Sequence, residues 1–357
     1  MSSAFEEALD GSATKLPVSL LMGNGFSIAF SELYAYPSLL HQINKDFHIL
    51  EIDDDKFKYL DSADFEKAKR YLGVVASMTR DAVPRLGSGG DAAQVVSDML
   101  QKDADALSSR LVDALIALPP KFDEYWPEHG RSANALTLEQ IESAAKFIKR
   151  FDKVFTVNYD LLLYWVIART DRGRTRWHLG FESPADQENP WGRWEPHVDQ
   201  NVFFLHGAFH LFSSVDDDTQ TSLIYVKYGE RPIMSLEARI GQAVNTRGLP
   251  IIVFEGTAKE KKARIARTPY LAAAFEKLKE LQGTLFVYGL SMKQDTHLLE
   301  AIAESSVERI CVGHHSERPS RELKSIFESI CDSRKDKGCK EPEIVYFDSR
   351  ECNVWSS

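Results

Sequence analysis

Cysteine is scarce in this chain and badly placed for metal work. The four present, Cys311, Cys331, Cys339 and Cys352, fall in the last fifth of 357 residues, and no pair is spaced Cys-x-x-Cys. That argues against a zinc ribbon and leaves reduced thiols of no special role. Long apolar runs are missing too: no stretch would span a bilayer. The start, Met1 to Lys15, has no apolar h-region and carries Glu6, Glu7 and Asp10, so it does not read as a signal peptide. A cytoplasmic protein is expected. Nor is there an excess of basic charge. The formal net charge is −10, which argues against a generally nucleic-acid-binding surface and leaves room for a local basic patch. Internal repeats and low-complexity tracts are absent. The remainder is ordinary: 43% apolar residues, in a chain long enough for one large core or two modest ones.

Three short runs carry the most information. Leu20-Leu21-Met22, Phe155-Thr156-Val157 and Phe204-Leu205 are apolar and stop abruptly, at Gly23-Asn24-Gly25, Asn158-Tyr159-Asp160 and His206-Gly207. A parallel strand buried on both faces reads as a continuous apolar run. In open α/β sheets the ligand crevice lies outside the carboxyl ends of such strands. Asn158, Asp160 and His206 are therefore expected at one crevice.

The texture alternates along most of the chain. Strands are predicted at 154–157, 202–205, 223–227, 251–254, 284–288, 309–312 and 344–347, with a first strand at 17–22. Helices are predicted near Phe26 and at 160–168, 235–244, 270–281, 296–305 and 320–330. Such alternation implies an α/β fold, Rossmann-like, with a mainly parallel sheet and helices on both faces. Residues 41–150 differ. Amphipathic stretches opening at Phe65, running from Asp91 to Leu118 (apolar at Val95, Val96, Met99, Leu100, Leu107, Leu111, Ala114 and Leu115) and from Leu136 to Arg150, with Thr137 as N-cap, read as helices. The expected organisation is a Rossmann-like domain of residues 1–40 and 151–357 with an all-helical insertion at 41–150. The insertion is either a lid or stabilising subdomain, or a docking surface. Trp177 to Pro196 reads as a loop or hairpin.

Glycines between a strand and a helix let the backbone approach a phosphate at a helix N-terminus. Gly23-Asn24-Gly25-Phe26-Ser27 has that form, although Ile28 stands where a dinucleotide fingerprint has its third glycine; a tight turn is the plain alternative. Asn158 can hydrogen-bond a ribose hydroxyl or orient a water, and Asp160 either joins it or only caps the next helix. His206 is suited to general base work near neutral pH. It also forms His-x-x-x-His with His210, but no glutamate follows it and no further ligand is evident, so no metal is expected. Tyr288-Gly289-Leu290-Ser291-Met292 repeats the strand–glycine–hydroxyl form, with Asp295 and His297 close behind, and Asp295 could cap a helix or bind ribose. The basic run Lys259, Lys261, Lys262, Arg264 and Arg267 reads first as a solvated helix face.

In this order the pieces resemble the sirtuin-like NAD-binding domains. Gly23-Asn24-Gly25-Phe26-Ser27 resembles the sirtuin Gly-Ala-Gly-Ile-Ser turn, and Val157-Asn158-Tyr159-Asp160 the Gln-Asn-Ile-Asp segment. His206-Gly207 is similar to the catalytic histidine and its glycine, and Gly289-Leu290-Ser291 to the Gly-Thr-Ser strand end. The resemblance covers roughly 17–30 and 151–312. The four-cysteine zinc module of sirtuin deacetylases is missing, which makes protein deacylation the least favoured activity. The Asn-Tyr-Asp and Gly-Asn-Gly variants look more like bacterial antiphage effectors of the sirtuin-like type. That likeness implies hydrolysis of NAD+ to nicotinamide and ADP-ribose, with Asn158 and His206 as catalytic pair and Asp160 beside them. It implies Gly23, Asn24, Gly25, Phe26, Ser27, Asn158, Gly289, Ser291 and Asp295 as NAD contacts, with NAD+ as substrate and no metal. A homo-oligomer and a HerA-type ATPase or other defence partner are further implications. The alternative is a non-catalytic sensor of NAD+ or ADP-ribose.

Overall fold

The computed structural model describes residues 4–10, 16–35, 47–52, 56–60, 65–85, 87–116, 136–170, 177–182, 189–196, 199–213, 220–224, 236–253, 258–293 and 295–356. In chain order the first elements are α1 (Ala4–Asp10), β1 (Val18–Met22), α2 (Gly25–Phe30), α3 (Phe65–Ala82), α4 (Gly90–Ile116), α5 (Leu138–Ile148), β2 (Lys153–Thr156) and α6 (Leu162–Thr170). Then come β3 (Trp191–Arg193), β4 (Val202–Phe204), β5 (Leu211–Ser213), β6 (Thr221–Ile224), α7 (Leu236–Arg247), α8 (Ala258–Arg267) and α9 (Pro269–Lys279). The chain finishes with β7 (Gln282–Tyr288), α10 (Thr296–Glu304), β8 (Ser306–His314), α11 (Arg321–Asp336) and β9 (Glu343–Asp348).

The chain divides into two compact units. The larger comprises Met1–Phe30, Pro119–Val253 and Lys261–Ser357. Its centre is a six-stranded, all-parallel sheet in the order β4-β2-β1-β7-β8-β9, covered by helices. This is the α/β, Rossmann-like class expected. The continuous apolar strands explain it, because β1, β2, β4 and β7 are buried along nearly their whole length, as a sheet covered on both faces requires. From β1 the chain proceeds outward to β2 and β4, then crosses to β7, β8 and β9 on the other side. The topological switch point therefore lies between β1 and β7. A small antiparallel sheet, β3-β6-β5, is also present. Trp191–Arg193 of the expected hairpin region is its edge, paired with β6.

Helix α5 belongs to this larger unit, so the boundary expected at residue 150 moves to about 118. The reason is aromatic packing. Phe147 of α5 lies 5.8 Å from the Phe5 ring, 5.5 Å from Phe151 and 5.2 Å from Tyr288. Thr137 does cap α5, and a full capping box with Gln140 forms.

The smaller unit is Ser31–Leu118 with Phe254–Glu260. Helix α3 buries Ala68, Leu72 and Ala76, and α4 buries Ser97, Leu100, Ala104 and Leu107. Ser97 donates its hydroxyl to the Ala76 carbonyl at 2.9 Å. Val95, Val96 and Met99, expected in the apolar stripe of α4, are exposed instead. The inward face follows 97, 100, 104 and 107, a spacing of three and four that leaves those three residues to one side.

Two predicted strands change character. Residues 221–224 pair antiparallel in the small sheet rather than parallel in the large one. Of the strand predicted at 251–254, Ile252 makes only an isolated antiparallel bridge to Gly207, and Phe254 lies outside the described residues. Gly207 has φ +77°, and a Cβ there would stand 1.8 Å from the Ile251 carbonyl oxygen. The segment crosses the strand end at a position only glycine allows. The expected continuation of β6 over 225–227 lies outside the described residues.

Candidate active site

One row of paired residues fixes the site. Phe204 of β4 pairs with Thr156 of β2, Thr156 with Met22 of β1, and Met22 with Tyr288 of β7. Two residues beyond each stand His206, Asn158, Asn24 and Leu290. The expected polar residues thus leave neighbouring strands at one level, beside the switch point where α/β sheets bind ligands.

The glycines serve a closer need than phosphate approach. The amides of Gly23 and Gly25 donate to the carbonyls of Tyr288 (3.0 Å) and Gly289 (2.8 Å). A Cβ on Gly25 would meet the Gly289 Cα at 2.4 Å, and one on Gly289, at φ +62°, would meet the Gly25 Cα at 2.6 Å. The turns after β1 and β7 therefore pack backbone to backbone, and the Gly23 and Gly25 amides are spent on the end of β7 and its turn. Ile28 is exposed, so no third glycine is needed there. Phe26 packs on Trp355, ring centroids 4.8 Å apart, and accepts the Trp355 indole N–H at its carbonyl (2.7 Å). Its side chain is core. Asn24 is half-buried, Ser291 is exposed, and the buried Met292 adopts φ 58°, sparsely populated for a side-chain-bearing residue.

Asn158, Ser27 and Asp160 form a buried chain of donors. The Asn158 amide Nδ2 donates to Ser27 Oγ at 2.9 Å, and Ser27 Oγ–H donates to Asp160 Oδ2 at 2.5 Å. Asp160 Oδ1 accepts the Leu162 amide at 2.9 Å and so also caps α6. The order of donors orients Asn158 and leaves its Oδ1 as the acceptor for a ligand. Burial pushes the Asp160 carboxyl up, against the Ser27 hydrogen bond, which pulls it down.

His206 has a partner that sequence reading missed. Its Nε2 lies 2.8 Å from His297 Nε2, the rings stacked with centroids 5.1 Å apart. Asp295, just before α10, pairs with Lys261 Nζ at 3.1 Å. Burial holds His206 at about 3 and His297 at about 4, with Asp295 pulling both upward. Burial raises Asp295, but the attraction of His206, when that ring is protonated, and of Lys261 prevails and holds it below its ordinary value. Both imidazoles are thus neutral at pH 7, and Nε2 of one donates to Nε2 of the other. Among the described residues His297 Nδ1 has no hydrogen-bond partner. No hydrogen bond joins Asn158 to His206 among the described residues; each is held by its own cluster. His206, Asp295 and His297 each offer one ligand atom, and these lie within 4.8 Å of one another.

His210, the other half of His-x-x-x-His, points elsewhere. It is wholly buried between the rings of Tyr164 (4.7 Å) and Phe204 (5.0 Å). The basic run is a mostly exposed face of α8, as expected, apart from Lys261, which is 2% exposed. The signal for Lys261 was its place four residues before buried Ile265, on the apolar side of the helix. For His297 it was the closeness of Asp295 and His297 at a strand end.

The fold and the strand-end polar groups define a Rossmann-like α/β protein with a histidine at the carboxyl end of the edge strand β4. The family model described as Domain of unknown function (DUF4917) matches residues 20–355, and the chain belongs to that family. No curated protein matches the chain. Among the described residues no helix is long and apolar enough to cross a membrane.

Proposed function

We propose that the protein is an NAD+ glycohydrolase that releases nicotinamide and ADP-ribose. The observation that carries this reading is the shared level of Asn158 and His206, each two residues past the paired row Thr156 and Phe204. The N-glycosidic bond breaks through an oxocarbenium-like ribose, and nicotinamide leaves as a neutral group. The site then has to hold the ribose and place a water. Asn158, oriented by Ser27, accepts a hydrogen bond from that water or from a ribose hydroxyl. His206, neutral at pH 7, takes the proton, and Asp295 stabilises the imidazolium that forms. Asp160 fixes Ser27 and the α6 turn. Asn24 and Ser291 are the NAD contacts this reading retains on exposed or half-buried side chains, while Gly23, Gly25 and Gly289 shape the turns. Depletion of NAD+ in antiphage defence, a homo-oligomer and a HerA-type ATPase or other defence partner are supported by the sirtuin resemblance alone.

Purified protein incubated with NAD+ should release nicotinamide, and His206→Ala and Asn158→Ala should each lower the rate on the order of 10²–10⁴-fold. Undiminished turnover in both variants would overturn the assignment. One observation favours a second reading, a non-catalytic sensor of NAD+ or ADP-ribose: the His206 Nε2 is already engaged by His297. Saturable NAD+ binding by calorimetry without nicotinamide release would select it.

A further inference from the structure

We propose that His206, His297 and Asp295 form an inhibitory site for a borderline divalent cation, with Zn2+ as the representative ion. The inhibitory half rests on the NAD+ glycohydrolase reading; the cation site does not.

The geometry carries the argument. Two buried imidazoles aim the same ring nitrogen at one point, Nε2 to Nε2 at 2.8 Å. Without a cation that arrangement holds only because the two nitrogens share one proton. A carboxylate completes the set, with one ligand atom from each residue inside a 4.8 Å span. Two imidazoles and one carboxylate are a common set for Zn2+, which leaves a fourth position for water. At Zn–N bonds of about 2.0–2.1 Å, tetrahedral nitrogens stand roughly 3.3 Å apart. The rings need to separate by only about half an ångström. Lys261 bonds Asp295 through one oxygen, Oδ1, and a carboxylate has a second with which to ligate.

Lys261 also limits the site. Its ammonium, 2% exposed and 3.1 Å from Asp295, supplies the positive charge the carboxylate needs when no metal is bound. A divalent ion arriving beside it is repelled, so the site is tuned toward reversible occupancy. A bound ion takes the His206 lone pair and displaces the water that the hydrolysis would use.

The test uses full-length protein stripped of metal and has two independent readouts. Zn2+ titration by calorimetry should give one site. Co2+ should give the visible bands of a nitrogen–oxygen site without a thiolate charge-transfer band, which separates it from the four cysteines. His297→Gln and Asp295→Asn, checked for native circular dichroism, should weaken binding at least tenfold, and Lys261→Met should tighten it severalfold. Absence of a Zn2+ site in the wild type, a thiolate band, or unchanged affinity in folded His297→Gln would overturn the proposal. Nicotinamide release by the metal-free protein, suppressed by stoichiometric Zn2+, supports the inhibitory half. If metal-free protein binds Zn2+ as described yet releases no nicotinamide, the glycohydrolase reading and the inhibitory half fall while the cation site stands.

Discussion

His210 shows what burial alone does to a histidine. It is fully enclosed by aromatic rings, and among the described residues neither ring nitrogen has a hydrogen-bond partner. Desolvation lowers it from 6.5 to about 3. In the unfolded chain the same imidazole takes a proton near 6.5. Between those values the unfolded state holds the extra proton, so stability falls as pH drops from 6.5 toward 3, by up to ~1.4 kcal/mol per pH unit. His206 and His297 push the same way, so the effect of His210 is read as a difference. His210→Phe keeps an aromatic ring in the pocket and removes the titration. Urea unfolding at pH 7.5, 6 and 5 should show the variant losing less stability on acidification than wild type. Parallel pH dependences would contradict this. The sequence places His206 and His210 alike, four residues apart in an apolar stretch. Only the packing, one against His297 and the other inside an aromatic box, separates the candidate site from the core.

Between elements, one arginine ties three segments together. Arg334, near the end of α11, donates to the carbonyls of Ile302 (3.1 Å), Ser305 (2.7 Å) and Val307 (2.7 Å) and to the Ser305 hydroxyl (3.1 Å). Ile302 and Ser305 lie at the end of α10 and Val307 at the start of β8; the Ile302 carbonyl also accepts the Ser305 amide at 3.1 Å. Removing the guanidinium takes a charged, buried donor from the Ser305 and Val307 carbonyls. Arg334→Met should cost about 2–4 kcal/mol, and Arg334→Lys should recover only part, because a single ammonium cannot fork between them. Denaturant midpoints for the three proteins check this; a neutral Arg334→Met would refute the capping role. Such a tie is invisible in sequence, where α11 reads simply as an amphipathic helix with a basic end. The elements were legible for the opposite reason. Fully buried parallel strands leave an apolar signature in the chain, and helices leave a spacing. Where pairing is antiparallel or isolated, as at 221–224 and 252, the same apolar letters predicted the wrong partner.

For the molecule as a whole, strand order and contacts across long separations decide how the site is held. The polar ends of β2 and β4 could be read because each apolar run breaks sharply at Asn158 or His206. That Gly25 faces Gly289, or that Ser27 links Asn158 to Asp160, depends on β1 lying between β2 and β7, which no local pattern encodes. Trp355 extends the same point to the far end of the chain. It packs against Phe26 and Phe30, at 4.8 and 5.2 Å, and its indole N–H closes on the Phe26 carbonyl. It thereby clamps α2, the short helix that carries Ser27. Trp355→Ala removes the ring and the hydrogen bond and should cost ~3–5 kcal/mol. Trp355→Phe keeps most of the packing and should cost ~1 kcal/mol, the value of the lost hydrogen bond. The effect should reach the site through Ser27 and Asn158. On the glycohydrolase reading, Trp355→Phe leaves folding intact at 25 °C but lowers nicotinamide release, since the Asn158 amide is less firmly oriented. Release equal to wild type in a folded Trp355→Phe, together with a stability loss confined to Trp355→Ala, would show that the clamp serves the fold and not the site.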